Sequence, residues 1–179
     1  MPERPQDFSS RVPAGDNRPR QVCNSCGFVQ YDNPKIVVGA VVRDGEQLLL
    51  CRRAIEPRRG LWTIPAGFLE LNESVETGAR REAWEEARAR LDIQRLLAVY
   101  SIARISQVQL IFRARLAEPG FAAGPESSAV DLFAWDDIPW DSLAFPSVRW
   151  ALHQARSVWD RQDFAVFTNP PGQTGDEPL

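Results

Sequence analysis

The segment KIVVGAVVRDGEQLLLCRR, residues 35–53, does most to restrict how this chain can fold. Two apolar runs rich in branched residues flank Asp44-Gly45, and a glycine there accepts the positive φ that a tight reversal needs. The pattern predicts a β-hairpin with strands over Lys35–Arg43 and Gln47–Arg53. A short apolar strand, LWTIPAG, is expected next, ended by Pro65, which has no N–H for a ladder.

Downstream the periodicity changes. Val75, Ala79, Ala83 and Ala87 recur at helical spacing, with Asn72 placed to cap, so one helix is expected over about residues 73–90. LLAVYSIARI and QVQLIFRARL predict an antiparallel strand pair, AEPGFAAGPESSA a long loop, and VDLFAW a further strand. DDIPW reads as a turn, and PSVRWALHQARSVWDRQ as an amphipathic helix capped by Ser147. Strands on both sides of a central helix, with a second helix later, predict the α/β class, a mixed β-sheet sandwiched between α-helices.

Composition excludes several roles. The 179 residues, 44% of them hydrophobic, can bury one sizeable core. A net charge of −3 without any dense Lys/Arg tract argues against nucleic acid as partner. The start MPERPQDFSS has no apolar segment to act as a signal peptide, and no long apolar run predicts a membrane span, so a cytoplasmic location is expected. Three cysteines give no disulfide framework, in keeping with a reducing compartment.

Glu82, Glu85 and Glu86 project within a roughly 100° arc of the predicted helix. Like charges at this spacing destabilise a helix by a few tenths of a kcal/mol per pair unless a cation sits between them. Hard oxygen ligands in this pattern suit Mg²⁺ or Mn²⁺. Within RREAWEEARAR alone a plainer reading competes, since Arg81, Arg88 and Arg90 stand at pairing distances along a solvated face.

The upstream residues decide between these. Gly67, Glu73, Arg81, Glu82, Ala83, Glu85 and Glu86 closely resemble the Nudix box, G-x5-E-x7-R-E-U-x-E-E-x-G-U, in the loop-then-helix context that it requires. Arg88 departs from it, standing where the box has Gly, a position that serves helix ending or close packing. The helix is therefore expected to run longer here.

The resemblance implies a Nudix fold and metal-dependent hydrolysis of a nucleoside diphosphate linked to another group. It assigns Glu82, Glu85 and Glu86 to the metal, helped by a backbone carbonyl near Gly67, with Glu85 also counted among the catalytic residues. Arg81 would orient the carboxylates through Glu73. A general base in such enzymes often comes from outside the box, and Glu126 in the long loop is the candidate, against an ordinary loop glutamate. The lone histidine, His153, is given no role, and Cys51 reads as a buried small residue.

Outside the box, NPKIVVGAVV, LLLCRRAIEPRRGLWTIPAGFLELNES and GPESSAVDLFAWDDIPWDSLAFPS are similar to the zinc-ribbon-preceded Nudix hydrolases that include plant FAD and ADP-ribose pyrophosphatases. YSIARISQVQLIF lacks the SQPWPFP signature of the neighbouring NADH pyrophosphatases. The substrate implied is a dinucleotide or nucleotide sugar, and the form a homodimer. Of the aromatics Trp62, Phe68, Tyr100 and Phe145, the substrate-binding choices are Phe68 and Phe145. Arg52, Arg53, Arg58 and Arg59 are cations for the phosphates or for the surface, and Arg52 is the one assigned.

Residues 1–33 are expected to be a loosely held arm, 34–168 the hydrolase domain and 169–179 a disordered tail. Cys23-x-x-Cys26-Gly27 resembles half of a zinc ribbon, but residues 1–22 hold no Cys or His, so the site is incomplete. A ribbon without zinc is preferred over zinc shared across a dimer. Two other functions stay open: an NADH or damaged-nucleoside-triphosphate pyrophosphatase, and a non-catalytic ligand-binding regulator.

Overall fold

The computed structural model describes residues 7–175. The chain divides after Pro34 into two compact units. The first is a three-stranded antiparallel sheet in the order β1 (Phe8–Arg11), β2 (Arg20–Cys23), β3 (Val29–Gln30). The expected loose arm is thus a paired sheet, with the turn before β2 fixed by the Arg20–Asp16 ion pair at 2.9 Å and by Arg20 lying over the Tyr31 ring. Pro, Arg and small polar residues hide such pairing, because a short two-sided polar ribbon has no hydrophobic alternation to read.

The second unit is a mixed sheet in the order β10-β5-β4-β9-β8, with β6 beside β5 and β7 beside β4. Its strands are β4 (Lys35–Asp44), β5 (Gln47–Arg53), β6 (Trp62–Thr63), β7 (Ala66–Phe68), β8 (Leu91–Ile102), β9 (Gln107–Leu116) and β10 (Ser127–Ala134). Parallel pairing occurs between β4 and β9, from Lys35↔Gln107 to Arg43↔Arg115. Among the described residues no helix is long and apolar enough to cross a membrane.

The expected hairpin forms, but only at its tip, where Arg43 faces Leu48 and Asp44 faces Gln47. Beyond the tip the strands part, and β7 takes the vacated edge of β4, with Gly39 opposite Ala66 and Val38 opposite Gly67. Pro65 follows the end of β6, as expected, and separates it from β7, which pairs with β4 where β6 pairs with β5. Its carbonyl still accepts the Ala40 N–H at 3.1 Å, an acceptor role that needs no N–H of its own.

One helix covers each face. On one side Val38, Ala40, Val42, Leu49, Cys51 and Phe112 pack with Ala79, Ala83 and Ala87 of α1 (Val75–Ala87). On the other, Val41, Leu48, Leu50 and Ile111 pack with Val148, Ala151, Leu152 and Ala155 of α2 (Pro146–Ser157). Each fully buried aliphatic side chain contributes roughly 1.5–3 kcal/mol. The alanine stripe on α1 also brings its backbone close to the sheet, which fixes the helix's outward carboxylates against β7.

The caps differ from the sequence expectation. Ser74, not Asn72, caps α1 and accepts the Thr77 N–H, while Asn72 takes a left-handed conformation at φ 67° that reverses the chain before it. In α2, Pro146 occupies the first turn and Ser147 is buried inside it, so Ser147 does not cap. Asn169 bonds both backbone groups of Ser101, at 2.9 and 3.0 Å, so the expected disordered tail is anchored at its start. Residues 176–179 of that tail lie outside the described residues.

Nor does α1 run longer than the box implies. It stops at Ala87, and Arg88 turns left-handed at φ 50°, its N–H bonding back to Trp84 O at 3.0 Å. Arg88 performs the helix-ending turn that a Gly makes without strain. The left-handed penalty for a residue with Cβ is about 1–2 kcal/mol, against about 0.5–1 kcal/mol of extra unfolded-state freedom for Gly. Arg88→Gly is therefore expected to stabilise the fold by about 0.5–1 kcal/mol in urea unfolding; no gain would mean that Arg88 stacking on Trp84 outweighs the strain.

Candidate active site

The notch where β4 and β5 part is filled from the α1 side by carboxylates. Glu86, buried on the inner edge of α1, accepts the Ala66 N–H of β7 at 3.0 Å. Glu82, one turn earlier and also buried, lies against Gly67, where a Cβ would come within 2.3–2.5 Å of its carboxyl atoms. A side chain at Gly67 would displace the Glu82 carboxylate from this place. Glu85 is the exposed member of the group.

Arg81 ties these groups together. Its guanidinium meets Glu73 Oε1 at 2.8 Å and Oε2 at 3.2 Å, Glu82 Oε1 at 2.8 Å, Glu85 Oε2 at 2.9 Å and the Phe68 carbonyl at 2.9 Å. These five contacts match the five N–H donors of the side chain. The Arg81 interaction and the Glu70 N–H hold the Glu73 carboxyl below its usual range. Arg81 itself is held more firmly protonated than usual, mainly by Glu73.

Burial raises the Glu82 pKa; Arg81 opposes the shift without cancelling it, and the charges of Glu85 and Glu126 add to it. Glu86 is pushed up to about 8, first by burial and then by the Glu82 and Glu126 charges, against the Ala66 N–H and Arg53. Carboxylates withdrawn from water with only part of a counter-charge carry a cost that a nearby cation removes.

Glu126 arrives from the far loop. Ala122 N–H bonds Ala87 O at 2.8 Å and Gly124 N–H bonds Glu86 O at 3.0 Å, so the loop satisfies the free carbonyls at the end of α1. A Cβ on Gly124 would fall 1.6 Å from Glu85 O, a contact that only Gly permits. With the Glu126 carbonyl held by Ala54 N–H at 2.8 Å, its exposed side chain stands where its charge reaches Glu82 and Glu86.

The other expected residues separate. Phe68 is 49% exposed with Lys35 over its ring, and Phe145 is half-buried beneath the Arg53 guanidinium at 5.5 Å. Arg52 leaves β5 on the α2 side, following Leu48 and Leu50, and its Nε donates to Gly60 O. Arg53 follows Leu49 and Cys51 in strand alternation, its Nε donates to Pro57 O, and its charge is felt by Glu86. The strand's twofold alternation is the signal that separates these neighbours. Tyr100 and Trp62 are packing residues, and His153 stacks on Trp140.

The donor chemistry fits a hard divalent cation: Glu82, Glu85 and Glu86 offer carboxylate oxygens from neighbouring turns of α1, two of them from buried and incompletely compensated groups. As they stand, no three such side chains converge on one point among the described residues, because Arg81 engages Glu82 and Glu85.

A family model described as the NUDIX domain matches residues 33–151, and one described as Nudix N-terminal matches residues 6–32. The chain belongs to the Nudix family. A solved NUDIX hydrolase from Nitrosomonas europaea is 40% identical, with a TM-score of 0.85 over 94% of this chain and 97% of that one. A MutT-like protein from Streptomyces ambofaciens is 38% identical over 57% of this Nudix chain and 64% of its own length. An ADP-ribose pyrophosphatase from Methanocaldococcus jannaschii is 28% identical over 64% of this chain and 69% of its own length.

Glu86 gives this Nudix site a defined pH response. An unperturbed glutamate titrates at 4.5 and Glu86 in the fold near 8, so the folded state alone keeps the proton between these values. Stability without metal should fall as pH rises through that window, by up to about 1.4 kcal/mol per unit. Mg²⁺, which takes the deprotonated carboxylate, should raise Tm more at pH 8.5 than at pH 6. Glu86→Gln should flatten both trends in a thermal-shift series, and an unchanged series would remove Glu86 from the metal set.

Proposed function

We propose that this Nudix protein is a divalent-metal-dependent pyrophosphatase of nucleoside diphosphates linked to another group, with ADP-ribose first and FAD second among substrates. The carrying observation is the grouping of Glu82, Glu85, Glu86 and Glu126, whose charges act on one another and two of which, Glu82 and Glu86, are buried. The relative named ADP-ribose pyrophosphatase supports that order of substrates. Water adds across the P–O–P anhydride, giving AMP with ribose 5-phosphate, or AMP with FMN.

Glu82, Glu85 and Glu86 would hold Mg²⁺ or Mn²⁺, which supplies charge neutralisation at the diphosphate and a more acidic water. Arg81, fixed by Glu73, positions these carboxylates. Glu126, outside the helix and solvent-exposed, would take the proton of the attacking water. Arg53 is a better phosphate contact than Arg52, because its charge reaches Glu86. Phe68 and Phe145 offer rings to a base or flavin. A cytoplasmic homodimer belongs to the same reading.

The test is hydrolysis of ADP-ribose, FAD, NADH and nucleoside triphosphates with Mg²⁺, Mn²⁺ or chelator, the products separated by chromatography. Metal-dependent AMP release is expected, and Glu86→Gln should lower kcat by roughly 100-fold or more while the protein stays folded. If no member turns over, the non-catalytic binder takes precedence. Cleavage of NADH or triphosphates alone would move the assignment to those substrates.

Glu126→Gln checks the base separately. It should lower kcat by roughly 10²-fold or more, leaving the Mg²⁺ thermal shift in place. A variant with wild-type turnover would return Glu126 to an ordinary loop residue.

A further inference from the structure

The N-terminal unit carries chemistry that the carboxylate site does not use. A structural zinc takes four protein ligands, commonly Cys and His. Residues 1–22 contain neither, and no three metal-ligating side chains converge among the described residues. Asp7, whose charge reaches Cys23, is itself hydrogen-bonded by the Ser25 hydroxyl. The residues present do not fit a zinc ion held by one chain.

What remains is a pair of thiols on a built turn. Cys23 ends β2, and its N–H donates to Phe28 O at 2.8 Å while Gly27 N–H donates to Cys23 O at 3.0 Å. Gly27 makes the reversal at φ 74°, where a Cβ would be strained. The turn brings the Cys26 thiol onto the Cys23 sulfur, which the Ser25 and Cys26 backbone N–H groups also face. Cys26 is exposed and Cys23 half-buried, whereas Cys51 is buried in the sheet core.

We propose that Cys23 and Cys26 form a reversible dithiol–disulfide pair that exchanges with low-molecular-weight disulfides. The Cys23 thiolate, the sulfur facing the N–H donors, attacks one sulfur of the small disulfide. A mixed disulfide forms at Cys23 and one small thiolate leaves. The Cys26 thiolate then attacks the Cys23 sulfur, closes the Cys23–Cys26 bond and releases the second. Two protein thiols give up two electrons and two protons, and one small disulfide becomes two thiols.

The experiment equilibrates the reduced full-length protein with graded ratios of oxidised to reduced glutathione, quenches with iodoacetamide and maps masses by peptide. Cys23 and Cys26 should lose alkylation together, their peptide lighter by two hydrogens, with full recovery in dithiothreitol. Cys51 should not change. Cys26→Ser should stop at a glutathione adduct on Cys23, and Cys23→Ser should prevent closure; far-UV circular dichroism checks that both stay folded. Independent alkylation of the two thiols at every ratio, or a wild type that stops at the adduct, would overturn the proposal. So would one zinc per two chains in the purified protein that Cys23→Ser removes.

Discussion

Repulsion among carboxylates is the constraint around which the Nudix unit is arranged. Glu82 and Glu86 are taken from water, Glu85 lies between them in sequence, and Glu126 adds charge from another loop. Arg81 is the main cation among them, and its guanidinium is shared by Glu73, Glu82 and Glu85. One positive charge leaves most of this cluster uncompensated. A fold keeps such a group only where the rest of the structure forces the charges together.

That force is supplied by packing with no charge of its own. The alanine stripe of α1 against Val38, Ala40 and Phe112 sets the helix height, so that Glu86 meets the Ala66 N–H and Glu82 meets the bare backbone of Gly67. The parting of β4 from β5 admits β7, which supplies both of those partners. Gly124 lets the far loop press onto the last turn of α1, and the loop's N–H groups satisfy carbonyls that the helix leaves free. The geometry of the carboxylate cluster thus rests on two glycines and an alanine stripe as much as on the glutamates.

Much of this was legible in the sequence, and the gaps have physical causes. The spacing from Gly67 through Glu73 to Glu86 placed the carboxylates on one helix face, because helical periodicity is local. The sandwich of helices on a mixed sheet followed from apolar period and order, and the solved Nitrosomonas europaea relative shares that fold. The opening of the hairpin was not legible, since an inserted strand competes for the edge of β4 through tertiary contacts alone. Choosing between Asn72 and Ser74 needs the chain's path, as both can cap. Arg52 and Arg53 are chemically equal, and only strand parity, readable from Leu49 and Cys51, separates them.

The ion pairs of Arg81 also set what the proposed binding of a cation would require. Glu73 gives Arg81 two contacts, from a carboxylate fixed by the Glu70 N–H, whereas Glu82 and Glu85 each give one. If Glu82 and Glu85 turned to a cation, Arg81 would lose the single contacts and keep the bidentate pair with Glu73, together with the Phe68 carbonyl. Arg81 would then stay positioned while the carboxylates changed partner. Glu73, outside the buried pair, anchors the residue that holds Glu82 and Glu85 together, and would keep it in place if they were released.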